Sequence, residues 1–313
     1  MAQSFAFAFP GQGSQSVGMM QSFAALPVVR ETFAEASEAL REDLWAMLEN
    51  GPAETLGATI NTQPIMLTAD IAIFRLWRAR GGPLPAAMAG HSLGEYAALV
   101  AGGALSLDTA VALVRERAQA MQSAVPEGQG AIAAILGLDD AGVAAACEAA
   151  QGDEIVQPAN FNAPGQVVIA GNVAAVQRAI DAAKAKGAKR AIVLPMSIPA
   201  HCLLMKPAAL QFAPRLSATP MQLPQPRVLQ NATLRYAQSE AELKQALIDQ
   251  IFNPVRWADT VKAFANEGMT QLLECGPGKV LAPLGKRIDE RLVGTSLHDL
   301  AALDAALAQL SQS

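Results

Sequence analysis

Between an apolar run at 86–89 and an alanine-rich stretch that begins near Glu95, the chain reads Gly90-His91-Ser92-Leu93-Gly94. A G-x-S-x-G pentapeptide in that setting restricts the backbone severely. The two outer glycines permit a tight strand-to-helix turn, which leaves the Ser92 hydroxyl exposed at a helix N-terminus and turns the Leu93 amide toward an oxyanion. Turns of this kind end a strand of an α/β sheet, so the pentapeptide predicts an architecture and a chemistry together: acyl transfer through a serine ester.

The rest of the composition narrows the setting. With 313 residues, 51% of them apolar, the chain can bury a large core in one or two domains. A net charge of −5 lacks the basic footprint of a nucleic-acid binder, so an acidic partner must be met by a local basic patch. Cys147, Cys202 and Cys275 are widely spaced, odd in number and form no C-x-x-C pair, which argues against a disulfide framework or zinc site and for a reducing cytoplasm. The first residues lack the basic region and cleavage site of a signal peptide. Phe5, Phe7 and Phe9 alternate there with Ala6 and Ala8, as in a strand. The longest strongly apolar stretch, 96–107, contains Gly102 and Gly103 and is too short to span a bilayer, so no membrane association is expected.

From about 128 to 197 the pattern changes. Strands are predicted at 131–136, 154–157, 166–170 and 190–194, helices at 140–150 and 172–186, and a connection at 158–165. This β-α-β-β-α-β order is that of a ferredoxin-like α+β subdomain at 128–197, inserted into a large hydrolase-like α/β domain with a parallel sheet core made of 1–127 and 198–313. No period of 20 to 50 residues repeats, and the last dozen residues are expected to form a short helix with a frayed tip.

Three further features bear on chemistry. Pro10-Gly11-Gln12-Gly13 follows the first strand but lacks the third glycine of a dinucleotide fingerprint, where Ser16 stands. Such a loop instead lets the Gln12 amide approach a developing negative oxygen, pairing with the Leu93 amide as an oxyanion hole. A serine nucleophile needs a base, and the histidines are His91, His201 and His298. His91 adjoins Ser92 on a turn where neighbouring side chains diverge, so it reads as a packing or hydrogen-bonding residue. His298 lies where an α/β-hydrolase places its base, His201 directly after the inserted segment, and spacing does not choose between them. Arg117, finally, falls on an apolar helical stripe with Ala110, Leu113, Val114 and Met121, whereas Arg115 and Glu116 point elsewhere. An inward arginine needs an anion: either a core Asp or Glu, or the carboxylate of a substrate.

Taken together, Pro10-Gly11-Gln12-Gly13, Asn61-Thr62-Gln63-Pro64, Gly90 to Glu95, Arg117 with its helix, the run 197–207, Gln250 with Asn253-Pro254, and Glu274-Cys275-Gly276-Pro277-Gly278 resemble the malonyl-CoA:acyl carrier protein transacylases of fatty-acid synthesis and the related acyltransferase domains of polyketide synthases. The resemblance covers nearly the whole chain. It implies Ser92 as nucleophile, His201 as base, and Gln12 and Leu93 as oxyanion amides. Arg117 would hold the free carboxylate of malonate, with Gln63 and Met121 beside it. The main-chain carbonyl of Gln250 would orient His201, so that a dyad replaces a triad. Cys275 then reads as a core residue.

The resemblance further implies a ping-pong transfer from malonyl-CoA to the pantetheine thiol of acyl carrier protein, with CoA as substrate, no metal or bound cofactor, and a monomeric enzyme. Docking of the acidic carrier would fall to Lys189, Arg190, Lys206, Lys286 and Arg287. A serine thioesterase or hydrolase using His298, and a noncatalytic carrier-binding subunit, are the competing readings. Fatty-acid, polyketide and malonate-decarboxylase settings stay open, as does methylmalonyl, whose acceptance depends on packing around Met121, Ile198 and Ala200.

Overall fold

A computed structural model describes residues 4–196 and 198–311. Ser197, which opens the run that leads to His201, and the tip expected at 312–313 lie outside the described residues. Among the described residues there are eight strands: β1 Phe5–Phe9, β2 Ala87–Gly90, β3 Gly130–Leu136, β4 Val156–Ala163, β5 Gln166–Asn172, β6 Arg190–Val193, β7 Gln271–Glu274 and β8 Val293–Ser296. They form a parallel sheet, order β2-β1-β7-β8, and an antiparallel sheet, order β4-β5-β3-β6. The fold is mixed α/β.

In β1 all five residues are buried. Its phenylalanines face the helix Thr59–Ala79, where Phe7 meets Trp77 and Phe74 edge-on at ring distances of 5.5 and 6.0 Å. Ala6 and Ala8 face the opposite layer, with Trp257, Val261 and Phe264 of the helix Trp257–Asn266. Large residues on one face and alanines on the other let two helical layers pack on a central strand buried from both sides. In parallel α/β sheets, ligands bind beyond the carboxyl ends of the strands. Here those ends include the loop after Phe9, the turn after Gly90 and the loop after Glu274.

The second sheet has the predicted β-α-β-β-α-β order, with helices Asp140–Gln151 and Val173–Ala185 packed on one face. One expectation fails. Residues 158–165 are not a connection: β4 runs through Ala163, and only Pro164 and Gly165 turn. Pro158 and the asparagines are turn formers, but β4 is an edge strand with two register irregularities, where proline is tolerated. The backbone of Val255 then bonds to Ala159 and Phe161 along that edge. No helix among the described residues is long and apolar enough to cross a membrane.

Candidate active site

The turn after β2 is as tight as its glycines suggest. A Cβ on Gly90 would stand 1.8 Å from the carbonyl carbon of Gly94, and one on Gly94 would stand 2.1 Å from the Phe9 carbonyl oxygen. Ser92 itself is in the left-handed region, φ 53°, a conformation that persists in a non-glycine residue only when neighbours hold it. Asn231 does so: its Oδ1 accepts from the Ser92 amide at 2.8 Å, and its Nδ2 donates to the Gly90 carbonyl at 2.7 Å.

His201, also left-handed at φ 64°, comes from a distant part of the chain to meet the serine. Its Nε2 is 2.7 Å from Ser92 Oγ, and its Nδ1 is 2.8 Å from the main-chain oxygen of Gln250. A carbonyl only accepts, so Nδ1 carries the proton and the Nε2 lone pair faces the hydroxyl. Burial, then the Arg117 charge, lower the His201 pKa to about 3, which keeps the ring neutral and ready to take a proton. The other histidines stand apart. His91 Nε2 bonds Asn162 Oδ1 at 2.8 Å beside the Trp257 ring, and His298 pairs with Asp299 near the Ser296 carbonyl.

Arg117 lies on the buried face of the helix Leu107–Ser123 and is 1% exposed. Nη1 donates to Gln63 Oε1 at 2.8 Å; Nη2 donates to Gln250 Oε1 at 2.9 Å and reaches Ser92 Oγ at 3.3 Å. Gln63 is held in turn by a long contact from its Nε2 to Met121 Sδ, 3.8 Å. Among the described residues no carboxylate touches the guanidinium, although Arg115 and Glu116 on the same helix each pair with a residue outside the site, Glu42 and Arg215. Among the described residues the core Asp or Glu partner is therefore absent from direct contact, and a buried cation stands beside the serine.

The Pro10-Gly11-Gln12-Gly13 loop lies against the turn: a Cβ on Gly11 would be 2.5 Å from the His91 oxygen and 3.7 Å from the Leu93 nitrogen. Among the described residues, neither the Gln12 nor the Leu93 amide has a protein acceptor. Gln12, Gln63, Ser92, Leu93, Arg117 and His201 border one cleft of about 260 Å³, whose walls include Met121, Ala200 and Leu284. Ile198 lies in an adjoining hollow shared with Met121 and Gln12. The antiparallel sheet supplies Asn160, Asn162 and Val168 to the same cleft. The sequence reading missed both asparagines because it took 158–165 as a connection, and it missed Asn231, which no local pattern marks.

The basic residues divide. Arg287 Nη1 donates to Gln166 Oε1 at 2.8 Å at the cleft wall, next to Lys286. Strand register places Arg190 opposite Leu136, and Leu136 opposite Gln166, so Lys189 and Arg190 stand at the same end of the second sheet. Lys206 is separate, opening the helix Lys206–Ala218 just after His201. Cys275 is buried, its thiol pushed well up by burial and then by Asp70, as suits a core residue. Among the described residues, no cluster of His, Cys, Asp or Glu is arranged to hold a metal ion.

A serine, a neutral histidine and a buried arginine in one cleft are the parts of an acyl-transfer site, and comparison with known proteins names the class. The family model for the acyl transferase domain matches residues 6–306. The chain belongs to the acyl transferase domain family. This acyl transferase is 53% identical over 306 residues to the malonyl CoA-acyl carrier protein transacylase of Salmonella typhimurium, covering 97% of this chain and 99% of that one. It is 41% identical to the Bacillus subtilis protein of the same name, covering 98% and 97%. Among solved structures, the acyl carrier protein S-malonyltransferase of Vibrio cholerae matches with a TM-score of 0.95 at 49% identity, over 97% of this chain and 99% of that one. A malonyl-transacylase solved with its type II PKS acyl-carrier protein matches with a TM-score of 0.97 at 50% identity, over 98% and 99%.

Proposed function

We propose that this acyl transferase moves a malonyl group from malonyl-CoA to the phosphopantetheine thiol of holo acyl carrier protein in fatty-acid synthesis, by way of an ester on Ser92. One observation carries the choice of acyl group: the buried Arg117 guanidinium, touched by no carboxylate among the described residues, lies 3.3 Å from the Ser92 hydroxyl. A hydrolase of neutral acyl groups has no use for such a cation, whose desolvation is unfavourable when no charged partner is in direct contact.

In this reading His201 Nε2 takes the Ser92 proton as Oγ attacks the thioester carbonyl. The resulting oxyanion meets the Gln12 and Leu93 amides. Collapse breaks the carbon–sulfur bond, and the departing CoA thiolate takes the proton from Nε2. The carrier thiol then gives its proton to Nε2 and attacks the ester carbonyl; the carbon–Oγ bond breaks, and Nε2 returns the proton to Oγ, which restores Ser92 and neutral His201. Throughout, the Gln250 carbonyl holds Nδ1–H and stabilises the transient imidazolium. The base is a dyad member, with no triad acid, and the reaction needs no metal or bound cofactor.

Lys189, Arg190, Lys286 and Arg287 offer the carrier's acidic surface one docking face, with Lys206 on a separate approach to His201. In this reading the working unit is a monomer. Free, buried thiols at Cys147, Cys202 and Cys275 fit a cytoplasmic setting.

Intact mass after brief exposure to malonyl-CoA, and again after adding holo carrier protein, tests the proposal. The expected adduct equals one malonyl group, is absent from Ser92→Ala, and moves to the carrier. An adduct lost to water whether or not carrier is present points to a hydrolase, and no adduct points to a binding subunit.

A further inference from the structure

Glu95 stands on the first turn of the helix Gly94–Ala101, three residues after the serine, and is fully buried. Its Oε2 accepts from the Asn231 amide at 3.0 Å and from Gln250 Nε2 at 2.9 Å; its Oε1 has no partner among the described residues. Gln250 Nε2 also donates to the Ser92 carbonyl, while Gln250 Oε1 accepts from Arg117. A carboxylate offers only acceptors, so Glu95 dictates that the Gln250 amide turns its nitrogen inward and its oxygen to the arginine. Glu95 and Arg117 are thus the two ends of one polar chain, with a single neutral amide between them.

The titratable groups around Glu95 leave it as the resident anion. Arg117 faces it from the helix Leu107–Ser123 as a cation. Tyr96, beside it in sequence, has its phenol pushed far up by burial and stays neutral. Burial lowers both His201 and His91, so neither adds charge at neutral pH. Burial also raises the Glu95 carboxyl to about 7, against the opposing pull of its hydrogen bonds and Arg117. Its charge therefore responds to any further anion brought into the cluster. An acyl group on Ser92 that carries a carboxylate is such an anion, delivered to the same guanidinium.

We propose that Glu95 is the resident counter-ion of Arg117 and takes up a proton from solvent when the substrate carboxylate binds, so that this side chain sets how strongly a malonyl group is preferred over an uncharged acyl group. Where Glu95 is already protonated, the incoming carboxylate finds an uncompensated arginine. At higher pH it must enter against a second buried negative charge, and preference weakens. An acetyl group senses neither state.

This rests on Arg117 being the carboxylate site. The test is the ratio of kcat/KM for malonyl-CoA to that for acetyl-CoA between pH 6 and pH 8.5, in which the titrations of CoA and of His201 cancel. For the unaltered protein the ratio is expected to fall about tenfold as pH rises through this range. In Glu95→Gln, whose amide oxygen still accepts both hydrogen bonds, it is expected to stay flat at or above the value of the unaltered protein at pH 6. A ratio independent of pH in the unaltered protein overturns the inference without any variant. So does a slope that survives in Glu95→Gln, or a Glu95→Gln that loses malonyl preference at every pH, which would make Glu95 a support for Arg117 rather than its competitor. Failure of the carboxylate-site reading looks different: malonyl is then no better than acetyl at any pH, or preference persists in Arg117→Ala.

Discussion

Arg115 and Arg117 sit two residues apart on the same helix, yet on opposite faces they meet opposite environments. Arg115 faces outward and closes a two-pronged pair with Glu42, at 2.8 and 2.6 Å, where water still reaches both side chains. Arg117 faces inward and meets two amide oxygens and a hydroxyl. Arg115, with its side chain 13% exposed, has its charge met in place by a carboxylate in direct two-pronged contact. A buried arginine gives up its hydration, and a core carboxylate in contact would be the usual compensation. That the interior arginine keeps its counter-charge one amide away leaves a place for an anion from outside. What separates the two arginines is whether a carboxylate touches the guanidinium, which sequence position does not reveal.

The strongest way to break this contrast is Arg117→Ala. Loss of a charge-assisted hydrogen bond of about 1.5 to 3 kcal/mol should lower the preference for malonyl-CoA over acetyl-CoA by about one to two orders of magnitude, read from kcat/KM with each donor. Acetyl transfer should change little; an unchanged preference would reduce Arg117 to a packing residue. Gln250→Ala sharpens the contrast by removing only the amide between Arg117 and Glu95. Its main-chain carbonyl remains on His201, so malonyl transfer should fall about tenfold, mainly through KM, with acetyl transfer largely kept.

Asp70 extends the comparison to an acid. It is fully buried on the helix Thr59–Ala79, and neither carboxylate oxygen has a hydrogen-bond partner among the described residues. Burial, then the nearby Glu274, raise its pKa well above the usual value. The folded state therefore holds this proton more tightly than the unfolded chain does. Its stabilising contribution is complete below the pH where an unfolded aspartate titrates, and it is lost as pH rises toward the folded pKa, by about 1 kcal/mol per pH unit. Urea unfolding between pH 5 and pH 8 should show a shallower loss of stability in Asp70→Asn than in the unaltered protein. An equal slope would mean that Asp70 is ionised in the fold. The smallest effect on activity belongs to Arg115→Ala: malonyl transfer unchanged, with stability lowered by about 1 to 3 kcal/mol because its charged bonds to Glu42 are largely shielded from water. A large loss of activity there would erase the distinction between the two faces.

Where a residue's role follows from its immediate neighbours, the sequence is readable. The alternation of Phe5, Phe7 and Phe9 with alanines gave β1, and a spacing of three and four residues turned Arg117 inward and Arg115 outward. β4 was misread at Pro158 to Gly165 because turn-forming residues were weighed without knowing that the strand lies on an edge and is bridged by Val255. With that strand went Asn160 and Asn162, and hence the bond that occupies His91. Glu95 lay in full view beside the pentapeptide, but its meaning depends on Gln250 and Asn231, which the chain brings from far away.

The sequence by itself determined the turn. Gly90 and Gly94 leave no room for a side chain against Gly94 and Phe9, and the left-handed Ser92 between them is a local conformational demand that nearby residue types express directly. Only the tertiary structure decided which histidine meets that serine. Spacing left His201 and His298 equal, and the pairing joins residues 109 positions apart through the packing of separate elements. The same holds for the proton on His201 Nδ1, the orientation of the Gln250 amide and the missing carboxylate at Arg117. Each is set by a partner's distance and burial, and these exist only once the chain has folded.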